Sequence, residues 1–342
     1  MITKEETTIL KGVAIVFMLY LHLFNQMPNV SLCEYFITIG DIPFVHLLTR
    51  ACNPVSFFLI LGGYGMYMVY RKGDKNRYIR ILKLYIHYWV ILALFLLVGF
   101  IVYGRTPGSF LTILSNVTGF QATYNGEIWF LLPYALLSVT SSWLFSITDK
   151  FKTKYVLLVL FILNLCTSFL ISRYGDAFFY HNYLAYDPLL YFHLMFSFYL
   201  GAMTAKHQWI AQISKSKTGQ FIKKYGLWLL LLIIGFRVLF RTGAFHAFYV
   251  YAFIVIFLNL KRASIIDKSL AFLGQHSMNM WMIHSWFCYY LFKDFIYGFK
   301  YPVVIFLVLM TVSVLTSMIV NSLCRPIEKL ISKKSSSIGL TT

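Results

Sequence analysis

The chain has 342 residues, of which 59% are hydrophobic and only 12% charged, with a mean hydropathy of +0.70. Soluble domains carry roughly one quarter charged residues, so this balance excludes a water-soluble globular protein and requires a membrane one. The formal net charge of +18 invites a nucleic-acid partner, but the placement of the cations assigns them to membrane topology, and none is expected.

A helix needs roughly 20 mostly apolar residues to cross the hydrocarbon of a bilayer. Segments of this kind fall near 9–26, 53–70, 80–103, 127–146, 154–172, 187–205, 225–242, 245–260, 270–292 and 301–324. The seventh and eighth are short, joined at Arg241-Thr242-Gly243 and interrupted by Arg237. The alternation of a β-barrel is absent, and a backbone without water partners must then close its bonds within helices. The expected fold is all-α, a polytopic transmembrane helical bundle of about ten spans. It forms a single membrane-embedded domain over 1–342 with both termini cytoplasmic and no soluble domain.

The cations fit that alternation. With the N-terminus inside, the cytoplasmic loops hold all of the 30 Lys and Arg except Arg50, Arg105, Arg173, Arg237, Arg241, Lys293 and Lys300. This is the positive-inside bias of membrane proteins. The first apolar run is not a cleaved signal peptide, because Glu5 and Glu6 precede it and Lys11 and His22 interrupt it. Among the five cysteines, Cys33 and Cys52 both fall near the outside, and the sequence leaves a bridge between them open. CxxC, HExxH and nucleotide-binding glycine loops are absent, so no metal site and no permanently bound cofactor is expected.

The first residue with chemical promise is His22. It stands eleven positions after Lys11, and on a helix that interval is about three turns, or roughly 16 Å, on one face. If Lys11 marks the cytoplasmic lip of the span, His22 lies deep in the bilayer, where ionisable groups are rare and mark functional paths. The alternative for a lone intramembrane histidine is a hydrogen-bonded packing role. Next come Arg77 and Arg80 at the start of the third segment, one turn apart. Two guanidiniums at a helix N-terminus suit phosphate in both geometry and field, although arginines flanking a span also serve topology alone. His87 follows Arg80 by seven residues on nearly the same face, about 10 Å deeper.

Further along, Glu127 and Trp129 open the fourth segment, and Tyr180 to Asp187 with Tyr191 and His193 forms an aromatic, polar stretch toward the outside. Such a stretch suits sugar rings, and it equally suits the interfacial tyrosine belt. Arg237, near Arg241 and His246, is a charge within a span and needs a partner such as Asp187 or Glu127. His284, inside the ninth segment, is a further candidate on the same ground.

Five stretches in order resemble the membrane-bound acyltransferase family 3. Lys11-x10-His22 is similar to its Arg/Lys-x10-His signature. Phe57-Phe58-Leu59-Ile60-Leu61-Gly62-Gly63-Tyr64 looks like its FFxLSGY stretch, with Gly62 where serine is usual. Arg77-x-x-Arg80 matches its RxxR, Trp129-Phe130-Leu131 its WFL, and Gly274-Gln-His276-Ser277-Met278-Asn279-Met280-Trp281-Met282-Ile283-His284 its late G-x-H-S-M-x-x-W-x-x-H block. The likeness runs from about 5 to 325. It implies an O-acyltransferase moving an acyl group, usually acetyl, from cytoplasmic acyl-coenzyme A to a hydroxyl of a cell-surface or lipid-linked carbohydrate. It also implies His22 as the catalytic histidine, Lys11, Arg77 and Arg80 near the coenzyme, and a structural role for Gly63 and Tyr64. His87, Trp129, Glu127, His284 and Arg237 remain secondary candidates. The expected setting is the bilayer of a bacterial cytoplasmic membrane, with acyl-coenzyme A, a carbohydrate or glycolipid acceptor and envelope-biosynthesis proteins as partners. The competing reading is a transporter or flippase of an anionic or sugar-linked substrate, against which stands the lack of an internal repeat or paired broken helices.

Overall fold

A computed structural model describes residues 1–73, 77–240 and 243–337, with the side chains of Arg77, Ala244 and 332–337 also outside the described part. Arg241 and the side chain of Arg77, both named from sequence, therefore lie outside the described residues, as do Lys75 and the side chains of Lys333 and Lys334 among the cations assigned to the cytoplasmic side. Among the described residues the fold is all-α apart from one hairpin of β1 (Thr38–Ile39) and β2 (Ile42–Pro43).

Each predicted span coincides with a helix: α1 (Lys4–Phe24), α2 (Pro54–Arg71), α3 (Arg77–Tyr103), α4 (Leu131–Thr148), α5 (Thr153–Tyr174), α6 (Tyr183–His207), α7 (Lys217–Leu239), α8 (His246–Asn259), α9 (Ser264–Ser285) and α10 (Pro302–Ser337). Seven of them, α1 to α6 and α10, are long and apolar enough to cross a membrane, while α8 is a shorter apolar helix. The protein is an integral membrane, polytopic helical bundle. α7 carries Lys217, Lys223, Lys224 and Arg237, and α9 carries Asp267, Lys268, His276, Asn279 and His284. Such side chains in a span need a protein-facing surface.

The boundaries shift where local chemistry overrides hydropathy. α1 begins five residues before the predicted Ile9 because Thr3 and Glu6 form a capping box, Thr3 N donating to Glu6 Oε2 at 2.7 Å and Glu6 N to Thr3 Oγ1 at 3.0 Å. Lys11 then stands within the helix rather than at its lip, and His22 lies in its last turn. The basic stretch 206–224, which falls between the predicted sixth and seventh spans, is largely helical, with Trp209–Lys215 as a short helix and Ser216 capping α7.

The chain divides into two compact units. The first comprises Met1–Phe58, Ile210–Thr242 and Phe248–Ser322, and the second Leu59–Trp209, Gly243–Ala247 and Leu323–Thr342.

In the first unit α1 and α9 run against each other at backbone distance. A Cβ added to Gly12 would stand 2.0 Å from Leu270 O, and one at Gly274 would stand 1.9 Å from Thr8 O. Only glycine on both helices permits this approach, the small-residue packing that holds helices together in lipid. His22 meets His284 ten residues beyond the glycines on either helix, so the two helices run parallel. Phe17, Phe57 and Phe253 fill the flank of α1, with ring centroids 5.4–5.8 Å apart.

In the second unit α2 and α6 repeat the device. Added Cβ atoms at Gly63 and Gly201 would stand 1.8 Å from Phe198 O and 1.9 Å from Ile60 O. α5 and α6 are antiparallel, joined by Thr153 Oγ1 to His207 Nε2 at 2.7 Å and by Asn164 Nδ2 to His193 O at 2.8 Å.

Candidate active site

In the first unit the site is built around the C-terminal end of α1. A helix leaves its last four carbonyls without intrahelical partners, and here each of Leu21 to Phe24 finds one. Asn25 N donates to Leu21 O at 2.8 Å, and the Tyr289 hydroxyl donates to His22 O. The Tyr297 hydroxyl donates to Leu23 O at 2.9 Å, and His46 Nδ1 to Phe24 O at 2.8 Å. His22 is therefore held by a fully satisfied helix end. Three of those four donors come from side chains with no sequence signal; aromatic and histidine positions read as core or interface until the chain is folded.

Two rings confine the His22 imidazole. His284 lies against it with centroids 4.9 Å apart at 52°, and Tyr289 meets it edge-on at 5.9 Å. The Tyr289 oxygen is 3.4 Å from His22 Nδ1 and 3.5 Å from Asn25 Oδ1. Tyr289 reaches this position because α9 passes into a π-turn at Trp286–Tyr290, closed by Leu291 N donating to Trp286 O at 2.8 Å. Widened turns of this kind recur at functional sites. His284 is fully buried, and its Nδ1 lies 2.7 Å from Trp281 O and 3.2 Å from Met280 O. The two histidines singled out on α1 and α9 are thus brought together.

The late sequence block that contains His284 is mostly scaffold. Gly274 touches the α1 backbone. His276 Nδ1 pairs with Ser317 Oγ of α10 at 2.9 Å, and Asn279 Nδ2 with Asn321 Oδ1 at 2.9 Å. Lys11 is exposed on α1. Also in this unit, Arg237 Nη1 donates to Phe240 O at 2.8 Å and Arg50 Nη1 to Val238 O at 3.1 Å, so two guanidiniums cap the C-terminal end of α7. Cations are favoured there by the helix dipole. The bridge left open by the cysteine positions does not form: Cys33 and Cys52 are free thiols, lying 3.6 Å from Asn29 O and 3.8 Å from Leu48 O.

The second unit holds the remaining candidates. Arg80 is exposed in the first turn of α3. One turn and two turns further, Lys83 and His87 share a carboxylate: Glu328 Oε1 lies 4.0 Å from Lys83 Nζ and 3.5 Å from His87 Nε2. Glu328 had no sequence signal, since nothing along the chain links α3 to the tail of α10. Glu127 and Trp129 sit on a short 3-10 turn, Gly126–Phe130, that opens α4. Asn125 Oδ1 accepts from Glu127 N at 3.1 Å, and buried Asn116 ties the preceding loop through Thr123 Oγ1 at 2.7 Å and Tyr124 N at 3.1 Å. The glycine at position 62 also has a physical counterpart. A Cβ there would stand 2.9 Å from the Tyr134 ring and 3.2 Å from its hydroxyl, so Tyr134 fills the volume a serine side chain would need.

The sequence matches, over residues 6–322, a family whose description is acyltransferase domain. Comparison with curated proteins and with solved structures finds no match. Because the match covers nearly the whole chain, the protein belongs to acyltransferase family 3 and is a membrane acyltransferase.

Proposed function

We propose that this protein transfers an acetyl group from cytoplasmic acetyl-coenzyme A to a hydroxyl of a cell-surface or lipid-linked glycan, in a bacterial cytoplasmic membrane. The single observation that carries the reading is the setting of His22. Its backbone is fixed at a satisfied helix end, and a second buried imidazole packs against its ring. A neutral imidazole in such a place can take the proton of an acceptor hydroxyl as the oxygen attacks the thioester carbonyl. It can equally attack first and carry the acyl group as a relay.

Coenzyme A is a polyanion. Lys11, Arg77 and Arg80 are the proposed phosphate ligands, because guanidinium forks and ammonium groups match phosphate oxygens in charge and geometry. Arg80 is exposed at the N-terminal turn of α3, where the helix dipole favours an anion. The Lys83–Glu328–His87 cluster fixes the same face of α3. Trp129 and Glu127 are the proposed acceptor contacts, an aromatic face beside a carboxylate that can accept from sugar hydroxyls.

The test uses purified protein in liposomes, wild type beside His22→Ala, supplied with acetyl-coenzyme A labelled in the acetyl group and with lipid-linked glycan extract. Wild type is expected to consume thioester and label the glycan, with His22→Ala slower by about 10²-fold or more, the contribution of a positioned proton-transfer group. Equal rates in a folded His22→Ala protein would remove His22 from the chemistry, and no thioester loss by wild type would remove acetyl-coenzyme A as donor.

A further inference from the structure

The fourth span is broken inside the membrane. After α3 ends at Tyr103, a helix at Phe110–Thr118 turns back along it. The last four carbonyls of that helix need partners, and three of them find donors on one face of α3. The Tyr88 hydroxyl donates to Asn116 O at 2.7 Å, the Trp89 indole to Val117 O at 2.9 Å and the Tyr85 hydroxyl to Thr118 O at 3.0 Å. The fourth, Ser115 O, accepts from Gln121 N at 3.1 Å. Trp89 precedes Tyr103 by fourteen residues, so this helix end lies about 21 Å back along α3, within a hydrocarbon layer about 30 Å thick. α4 starts at the same height. A Cβ at Gly119 would lie 3.3 Å from the Leu131 side chain and 3.7 Å from the Tyr85 hydroxyl. Phe110–Thr118 and α4 are two pieces of one descending path, and residues 119–130 are the break.

Irregular backbone at such a depth is tolerated only where protein buries it or where it lines water. Asn116, 1% exposed, braces one side of the break. Its Nδ2 donates to Thr112 O at 2.9 Å and Thr123 Oγ1 at 2.7 Å, and its Oδ1 accepts from Tyr124 N at 3.1 Å. The other side is open: Thr118, Thr123 and Gly126 are exposed, and Gln121, Glu127 and Trp129 are half-buried. Exposing hydroxyls and a peptide group to hydrocarbon is costly, so the open side meets water. Breaks of this kind within a span form substrate sites. The composition of the break selects the ligand. No Lys or Arg occurs between Arg105 and Lys150, which disfavours an anion. Amide, hydroxyl and carboxylate groups beside an indole suit the hydroxyls and the C–H face of a neutral sugar.

We propose that the break at 119–130 floors a water-filled vestibule, through which a neutral carbohydrate acceptor reaches Trp129 and Glu127. The vestibule opens at the face where α3 ends, the outer face by the distribution of cations. This deepens, and rests on, the reading of the protein as a carbohydrate O-acyltransferase.

The experiment reads the accessibility of single thiols. Thr123→Cys and the smaller change Ala122→Cys place a thiol in the break. Leu97→Cys places one on α3 between the break and Tyr103, at an apolar side chain 56% exposed. A membrane-impermeant maleimide is applied to intact cells, with labelling counted above wild type and folding checked by the thermal midpoint. Both break variants are expected to label from outside. Leu97→Cys is expected to stay silent, because a thiol in lipid forms almost no thiolate. In liposomes, lipid-linked glycan extract at twice its half-saturating concentration is expected to slow labelling of Thr123→Cys about threefold by occupancy. Extract stripped of its glycan by mild acid should leave the rate unchanged. Silence of both folded break variants, labelling only after permeabilisation, or equal labelling of Leu97→Cys would each overturn the vestibule. Equal rates with intact and stripped extract would overturn the carbohydrate occupant. Accessibility needs no turnover, so the failures separate. Acetyl transfer by wild type with silent break thiols sinks the vestibule alone. Glycan-protected break thiols in a protein that consumes no acetyl-coenzyme A sink the donor reading and leave the vestibule standing.

Discussion

The hydroxyl of Tyr289 serves two atoms of one residue, the carbonyl and Nδ1 of His22. That double duty separates it from Tyr297, whose hydroxyl bonds the neighbouring carbonyl of Leu23. Removing either hydroxyl leaves one orphan carbonyl at the same helix end. Tyr289→Phe and Tyr297→Phe are therefore each expected to lower stability by about 1–2 kcal/mol, seen as similar falls in thermal midpoint in detergent. Only Tyr289→Phe releases the imidazole, so thioester consumption should fall in that variant well beyond what lost stability explains. Matching activity losses in the two variants would show that His22 is not oriented by the phenol. None of this was visible along the chain. His22 and His284 stood out because ionisable side chains in apolar segments are costly, whereas a tyrosine five residues past His284 looks like any of the 25 in the sequence.

Among the helices, glycine decides which pairs touch. In a helix interior glycine is ordinarily about 0.5–1 kcal/mol worse than alanine, so Gly→Ala is stabilising where space is open. Gly235 of α7 is such a place, with nothing within 4 Å of an added Cβ. Gly274 is the opposite, because its Cβ would lie 1.9 Å from a backbone oxygen of α1 that no rotamer change can move. The overpacking cost of about 1–3 kcal/mol exceeds the propensity gain. Gly235→Ala is expected to hold or raise the thermal midpoint, and Gly274→Ala to lower it by several degrees and separate His22 from His284. A midpoint for Gly274→Ala at or above wild type would mean that α1 and α9 have room to spare. Gly63, assigned a structural role on family likeness, falls in the same class through its contact with Phe198 O. Gly12, Gly201 and the closeness at Gly274 needed the folded helices, since a glycine in an apolar run reads equally as open space or as contact.

At the level of the whole molecule, parallel α1 and α9 require an odd number of crossings between them, and the seven span-matching helices α2 to α8 lie between them in sequence. That count agrees with the alternation of cationic loops. Thiol labelling checks it. Phe36 lies in the stretch after α1 and is 86% exposed; Lys215 is exposed at the end of the short helix before α7. A membrane-impermeant maleimide is expected to label Phe36→Cys from outside intact cells and Lys215→Cys only after permeabilisation. Native Cys33 should stay silent at neutral pH, because burial holds its thiol and pushes its pKa up to about 11, leaving almost no thiolate to react. Its labelling should rise only as the pH approaches that value. Labelling of both engineered cysteines from the same side would break the alternation.

The sequence by itself determined the class of molecule and the positions of its helices, because hydropathy is a sum over roughly 20 neighbouring residues and needs no distant partner. It marked His22 and His284 through the cost of placing ionisable groups among apolar ones, and Arg80 and His87 through their spacing at the start of the third segment. Only the tertiary structure decided who meets whom. Glu328 lies 241 residues from His87 in sequence and 3.5 Å from it in space, and the Tyr289 hydroxyl closes a helix end 267 residues away. A capping box moved the start of α1, a π-turn carried Tyr289 to His22, and paired glycines set the approach of α1 to α9. Those outcomes follow from hydrogen bonds and van der Waals contact, which act over a few ångströms between residues that linear order keeps far apart.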